Sequence, residues 1–120
     1  MSNPSREKGT RWESSVAAFF RDRGHTEVFR LAPAGAQDAG DIGGLRDFAL
    51  ECRDRSKFNL AENVRDADLR AHHKQCRFGV AILKRRGRST GEGYAVMTLA
   101  TFVDIVTALA DEGTRQVAAE

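Results

Sequence analysis

The sequence has no hydrophobic run long enough to cross a bilayer. Its longest apolar runs, such as Val80–Leu83, fall far short of the ~20 residues that a membrane helix needs. Residues 1–4 contain no apolar segment of the kind that directs secretion. Only two cysteines occur, Cys52 and Cys76, and in a cytosolic protein we expect both to be reduced thiols. We therefore expect a cytoplasmic protein that does not act on membranes.

The chain also lacks internal repeats, linkers and low-complexity stretches. Its 120 residues suit one domain with one core. Hydrophobic residues make up 41% of the chain and charged residues 30%, which is typical of a globular protein rather than a disordered one. We expect a single domain over residues 1–120, with its core in about residues 6–111 and flexible ends.

Charge is unevenly distributed along the chain, although the formal net charge is only +2. Residues 70–88 contain seven lysines and arginines and no acid, whereas residues 38–54 contain five acids and two arginines. A basic stretch beside an acidic one suits a nuclease, which holds phosphates on one surface and a cation in a pocket. Two merely solvated faces would give the same pattern.

Hydrophobic periodicity predicts an α/β domain of order αβββαββα, with a mixed central sheet flanked by helices. The predicted helices are Arg6–Arg23, Leu60–Arg77 and Leu99–Asp111, and the predicted strands are Thr26–Leu31, Asp41–Gly44, Asp47–Arg53, Phe78–Leu83 and Tyr94–Thr98. We expect the second and third strands to form a hairpin and the apolar fourth strand to be central. The last helix should close the core with an apolar face formed by Leu99, Phe102, Val103, Val106 and Leu109.

Two acids, Asp41 and Glu51, lie on the two strands of the predicted hairpin. Two carboxylates facing each other across a strand pair repel unless a cation lies between them, and oxygen ligands of this kind suit Mg²⁺ or Mn²⁺. Strand alternation places Glu51 and Arg53 on one face and Cys52 on the other. A metal ligand and a phosphate-binding charge would then be neighbours. Turn-flanking acids and a surface ion pair are the alternative interpretation.

A third acid, Glu13, lies on the first helix beside the apolar positions Val16, Ala17 and Phe20. It therefore borders the buried face, from which it could reach the hairpin. An ordinary surface glutamate would have the same spacing.

These residues, in this order, resemble the archaeal- and phage-type Holliday-junction resolvases of the PD-(D/E)xK nuclease superfamily over about residues 8–108. The matching segments are Lys8-Gly9 with Glu13, then Gly40-Asp41-Ile42, then Leu50-Glu51-Cys52-Arg53, and then the strand Phe78–Leu83. The resemblance implies a restriction-endonuclease-like fold, a metal held by Glu13, Asp41, Glu51 and the backbone carbonyl of Cys52, and hydrolysis of branched DNA by a homodimer.

The chain departs from the family pattern at two positions. Gly40 replaces the usual proline, and Arg53 replaces the usual lysine. Arginine stays protonated and cannot act as a base, but it can clamp a phosphate and stabilise developing negative charge. We therefore assign Arg53 to the catalytic set with Glu13, Asp41 and Glu51. Two alternatives stay open: a catalytically silent DNA-binding or accessory protein on the same fold, and a restriction- or repair-type nuclease.

Basic residues that could hold DNA phosphates lie in three segments: Lys8 and Arg11; Arg55 and Lys57; and Lys84, Arg85, Arg86 and Arg88. We expect Arg53, Arg55 and Lys57 to share a strand face if the strand continues past Arg53. Few aromatic residues are interleaved with these charges, so recognition of backbone shape is expected rather than base readout. The spacing of His72, His73 and Cys76 fits no standard zinc site, and residues 87–93 lack a phosphate-loop pattern, so no nucleotide cofactor is expected.

Overall fold

The computed structural model describes residues 4–31 and 41–119. The helices are α1 (Pro4–Asp22), α2 (Leu60–His73) and α3 (Leu99–Ala119), and the strands are β1 (Phe29–Leu31), β2 (Asp41–Gly43), β3 (Phe48–Arg53), β4 (Phe78–Leu83) and β5 (Tyr94–Val96). This order confirms the predicted αβββαββα sequence of elements. The last helix continues beyond Asp111, where the sequence pattern placed its end. The predicted loop over residues 32–40, which includes Gly40, lies outside the described residues.

The larger sheet has the strand order β3-β4-β5. β3 and β4 are parallel, with Phe48 opposite Phe78 and Arg53 opposite Leu83, and β5 runs antiparallel to β4. The prediction of a mixed sheet with an apolar central strand is therefore confirmed. The connection from β3 to β4 is α2, because a parallel pair cannot be joined by a tight turn.

The predicted hairpin of β2 and β3 is wrong. Among the described strands, β2 pairs with β1 in an antiparallel ribbon, with Ile42 opposite Arg30, while β3 pairs with β4. The turn after β2 is longer than a two-residue hairpin turn, and Gly44 and Asp47 both adopt positive φ, at 83° and 69°. The backbone N–H of Phe78 donates to the carbonyl of Asp47, which directs the start of β3 towards β4.

The core has two clusters, one on each face of the larger sheet. α1 packs Trp12 and Val16 against Leu50 and Val80, whereas α2 packs Ala67 against Ala81. The indole N–H of Trp12 donates to the carbonyl of Ile82 over 3.0 Å, which ties α1 to the central strand. The sheet is therefore covered on both faces around β3 and β4.

The backbone of α2 approaches β4 unusually closely at Gly79. A Cβ atom on Gly79 would lie 2.4 Å from the carbonyl oxygen of Ala67, so a larger residue would force the helix away. Asn59 fixes the start of this helix, since its side chain accepts from the backbone N–H of Glu62 over 3.1 Å. The close contact sets the height of the α2 side chains above β3.

The expectation that the apolar residues of α3 close the core is wrong. The five predicted residues are between 49% and 76% exposed: Leu99, Phe102, Val103, Val106 and Leu109. A different side of the helix, with Ile105 and Ala108, is half-buried and faces the sheet next to β4. Within residues 4–31 and 41–119, no helix has both the length and the hydropathy needed to cross a membrane.

Candidate functional site

Glu51 is a buried carboxylate on β3, with only 3% of the residue exposed. Its neighbours Leu50 and Cys52 face the cluster under α1, which confirms the predicted alternation, and Glu51 is thereby turned towards α2, a helix that the sequence did not indicate. One carboxylate oxygen, Oε1, forms an ion pair with Arg53, and the other, Oε2, accepts from Nε of Arg70. Both oxygens therefore have a guanidinium partner.

Arg53 brings together two of the oxygen atoms that the resemblance assigns to a metal. Its Nη1 atom forms the ion pair with Oε1 of Glu51 and also donates to the backbone carbonyl of Cys52 over 3.1 Å. Its Nη2 atom lies 3.4 Å from the carboxylate of Asp66 on α2. A single cationic group thus occupies the point where Glu51 and the Cys52 carbonyl converge.

Arg70 and Asp66 are site residues that the sequence analysis missed. Arg70 lies one residue before the buried Ala71 and three after Ala67, so helical spacing places it at the margin of the face that covers β3. The position of Arg70 at this margin is the sequence feature that could have identified it as a site residue. What the sequence could not supply is the rotation of α2 above the strand, which decides whether an arginine there reaches Glu51 or solvent.

Glu13 is half-buried, in keeping with its position beside the apolar stripe of α1. Its carboxylate accepts from Nε of Arg30 on β1 over 2.9 Å, and Arg30 also donates to Thr10 over 3.3 Å. α1 covers the sheet face that Leu50 occupies, whereas Glu51 faces α2. The two glutamates are thus held by different arginines on different sides of β3.

Asp41, the remaining acid of the predicted set, begins β2 opposite Leu31 of β1. Its side chain lies outside the described residues. Among the side chains that are described, no group of three or more His, Cys, Asp or Glu is arranged to hold a metal. The donors that fit a hard divalent cation are the Glu51 carboxylate and the Cys52 carbonyl, and a complete site would need Asp41 as well.

A second buried acid, Asp54, follows β3 directly and was not singled out by the sequence. It accepts from Nε of Arg86 over 2.9 Å and lies 3.7 Å from Nζ of Lys84. Burial raises the pKa of Asp54, but the hydrogen bond from Arg86 and the charges of Lys84, Arg86 and Lys8 outweigh it, so the pKa is lowered from 3.8. Asp54 stays ionised and joins the loop after β3 to the loop after β4.

These two loops follow the carboxyl ends of adjacent parallel strands, which is where open α/β sheets commonly bind ligands. A groove of about 580 Å³ lies between them. It is lined by Arg55, Lys84, Arg85 and Arg86 together with Phe58 and Tyr94. The guanidinium of Arg85 stacks 5.0 Å from the ring centre of Tyr94. The groove therefore combines positive charge with an exposed aromatic ring.

The other predicted DNA-binding residues lie around this groove or on α1. β3 ends at Arg53, so the expected strand face shared with Arg55 and Lys57 does not form, and both residues are exposed in the loop. Arg88 is exposed in the second loop, near Glu92. Lys8 is half-buried on α1, and its charge helps to lower the pKa of Asp54. Arg11 is exposed on the same helix.

His72 and His73 are exposed at the end of α2, and the Cys52 side chain is buried in the core as expected. Both cysteines are free thiols. Comparison of the chain with protein-family models, with curated proteins and with solved structures gives no significant match.

Proposed function

We propose that the chain is a metal-dependent DNA endonuclease with a restriction-endonuclease-like fold, acting on four-way junctions as the resembling resolvases do. The observation that carries the proposal is the convergence of Oε1 of Glu51 and the carbonyl oxygen of Cys52 on one cation, the Nη1 atom of Arg53. Carboxylate and carbonyl oxygens are the donor types that Mg²⁺ and Mn²⁺ take in proteins.

The proposed metal ligands are Glu51, the Cys52 carbonyl, Asp41 and Glu13. A bound Mg²⁺ or Mn²⁺ would supply a Lewis acid and lower the pKa of a coordinated water. Arg53 would have to leave the Cys52 carbonyl and turn towards the scissile phosphate, where its fixed charge can neutralise the pentacoordinate transition state. Glu13 pairs with Arg30 on the other side of β3, so it could join the site only by leaving Arg30 and moving towards the Glu51 side.

DNA would lie across the groove between the two loops at the carboxyl ends of β3 and β4. The lysines and arginines there can hold phosphates without reading bases, which fits recognition of a branched backbone. Two strands of a junction are cut symmetrically by a two-fold dimer, so we expect the active form to be a homodimer. No nucleotide cofactor enters the proposal.

A second candidate function is DNA binding without cleavage, as an accessory protein. It is favoured by the two ion pairs of Glu51, because both carboxylate oxygens are already neutralised by Arg53 and Arg70. Among the described residues, no buried side-chain nitrogen or oxygen lacks a hydrogen-bond partner, so the described polar atoms of the site are satisfied without a metal. A divalent cation would have to displace at least one guanidinium.

One gel experiment separates these functions. The protein is incubated with a four-way junction, a flap, a linear duplex and single-stranded DNA, each with Mg²⁺, Mn²⁺ or EDTA. Cleavage of the junction with metal supports the resolvase proposal, and preferential cleavage of the linear duplex or flap supports a restriction- or repair-type nuclease. Binding of DNA without cleavage under any condition supports the accessory protein.

Variants locate the site. Asp41→Asn and Glu51→Gln should abolish cleavage and leave DNA binding largely intact, because neither change removes a phosphate contact. Asp22→Asn, the same chemical change at the exposed end of α1, is the matched control and should cleave at the wild-type rate. Circular dichroism of each variant checks that it is folded. Wild-type cleavage by both folded site variants would remove these acids from the mechanism.

A further inference from the structure

Exposed apolar residues lie on the outer sides of both α2 and α3. Seven of the nine large hydrophobic residues that are exposed in the described part of the chain lie on these two helices: Leu60, Leu69, Leu99, Phe102, Val103, Val106 and Leu109. A groove of about 600 Å³ along α2 is lined by Leu60 and Leu69 and by Met97, in the segment that leads into α3. We call these seven residues and the groove the α2/α3 surface.

The α2/α3 surface is too apolar for a helix that faces only water. On α3 the half-buried residues Ile105 and Ala108 occupy one side, and Leu99, Phe102, Val106 and Leu109 extend the apolar face well beyond it. A surface helix of a monomer needs only the side that meets the core. Such a wide apolar face is typical of a helix that contacts a second partner.

The charges of α3 argue against DNA and against anionic lipid as that partner. From Leu99 to Gly113 the chain has three acids, Asp104, Asp111 and Glu112, and neither lysine nor arginine. Phosphate-binding surfaces and interfacial membrane helices both need basic residues. The basic groove described above is formed by other segments, the loops after β3 and β4.

The spacing and the charges match a second copy of the same chain. Leu99, Phe102, Val106 and Leu109 follow the alternating three- and four-residue steps of a helix–helix seam. On α2 the groove carries one cation and one anion, Arg65 and Asp68. In a two-fold contact each residue of one copy can meet its opposite in the other, so this pair is self-complementary.

The area is also sufficient. The exposed fractions of the seven residues together equal about four whole residues, or roughly 600–800 Å² at ~150–200 Å² for each large apolar residue. A standard stable interface buries ~800 Å² on each partner. From these observations we infer that the α2/α3 surface is the interface of a two-fold homodimer. This inference names the surface of the dimer expected above, yet it stands without the nuclease proposal because it uses no property of the DNA groove.

The test is the oligomeric state of the full chain, measured by sedimentation equilibrium from 1 to 100 µM. The wild type should approach twice the chain mass of 13.2 kDa. Val106→Glu places a charge in the middle of the apolar face and should raise the dissociation constant at least 100-fold. Ala100→Glu adds the same charge to the exposed polar side of α3 and should leave the dimer intact. Both variants alter exposed residues, so both should remain folded.

A charge exchange gives a second readout that does not depend on hydrophobicity. Arg65→Glu should weaken the dimer, because the new glutamate of each copy then faces Asp68 of the other. The double variant Arg65→Glu with Asp68→Arg should restore the dimer. A monomeric wild type at 100 µM would overturn the inference, as would a Val106→Glu protein that dimerises like the wild type. Binding of the monomer to phosphatidylserine vesicles would overturn it in favour of a membrane surface. DNA cleavage is measured separately, so failure of this test leaves the nuclease proposal standing.

Discussion

Two buried carboxylates, Glu51 and Asp54, lie three positions apart and are nearly equally buried, yet their partners differ. Glu51 is enclosed between the sheet and α2, and the side chains of its arginine partners are only 24% and 15% exposed. Asp54 lies at the end of the strand, and its partners Lys84 and Arg86 reach it from a solvent-facing loop, with side chains 35% and 44% exposed. The ion pairs of Glu51 are thus shielded from water, whereas those of Asp54 are open to screening.

This difference separates two tasks. A carboxylate shielded from water interacts strongly with a nearby cation. Glu51 is therefore the candidate to bind a metal or to form a fixed structural ion pair. A screened carboxylate orients a loop without locking it, which makes Asp54 an anchor for the basic groove.

Removal of Arg70 should give the largest loss of stability. Arg70→Met leaves the buried Oε2 of Glu51 without its α2 partner while Arg53 still pairs with Oε1, and loss of one hydrogen bond to a charged group costs about 1.5–3 kcal/mol. Urea unfolding measures the loss. Arg11→Met, the same change at an exposed position of α1, should cost less than about 0.5 kcal/mol. A double variant with Glu51→Gln should recover part of the loss, and additive costs would show that the two residues do not interact.

Arg53 should decide between the two candidate functions. If Arg53 stabilises the transition state, Arg53→Ala should lower the single-turnover rate in Mn²⁺ by roughly 10²–10³, the scale for one preorganised donor. Binding of the junction should weaken only modestly. An Arg53→Ala enzyme that cleaves at the full rate would exclude the catalytic role. A silent wild type that Arg53→Lys activates would favour the accessory function, because lysine supplies the amine of the family pattern.

Asp54→Asn should cost about 1–2 kcal/mol at neutral pH, the scale of one charged hydrogen bond with exposed partners. The folded-state pKa of Asp54 is lowered, so its contribution is present above the ordinary value of 3.8 and is lost as the pH falls through the lowered value. The difference in unfolding free energy between wild type and Asp54→Asn should therefore shrink in acid, and also in 1 M salt. A difference that is constant between pH 7 and pH 2 would contradict the role of the charge.

The smallest effect concerns the loop cations that do not pair with Asp54. Lys84 and Arg86 are poor choices for a DNA-binding test, because their removal would leave the buried Asp54 without its ion-pair partners. Arg85→Ala with Arg88→Ala leaves that anchor intact. If both hold phosphates, the slope of log affinity against log salt should flatten by about 0.9 for each residue, and every DNA sequence should weaken alike. An unchanged slope would make these two residues solvated surface charges.

The sequence predicted the element order and the central position of β4, because an apolar run of six residues fits a strand covered on both faces. It also placed Glu51 and Arg53 on one face, since alternation is a local property of a strand. It failed on the pairing of β2, because pairing depends on the backbone direction after Gly44, and φ at a glycine cannot be read from composition.

The site shows the same limit. Glu51 and Cys52 were found because they are local in sequence, whereas the partnership of Glu51 with Arg70 joins residues 19 positions apart and depends on how α2 sits above Gly79. The apolar face of α3 was correctly recognised, but its role was not. Hydrophobic periodicity shows that one face of a helix is apolar, but it does not show which surface that face contacts.

The position of Trp12 gives the protein an internal optical probe. It is the only tryptophan in the chain, it is 2% exposed, and its indole lies against Gly93 while it donates to Ile82. Its emission therefore reports one event, the docking of α1 on β4, and should shift to longer wavelength when water reaches the indole. Because α3 is not among its described packing partners, dilution that separates two copies at the α2/α3 surface should leave this signal unchanged, while denaturant should alter it. Fluorescence and mass can thus follow folding and association as independent quantities in one sample.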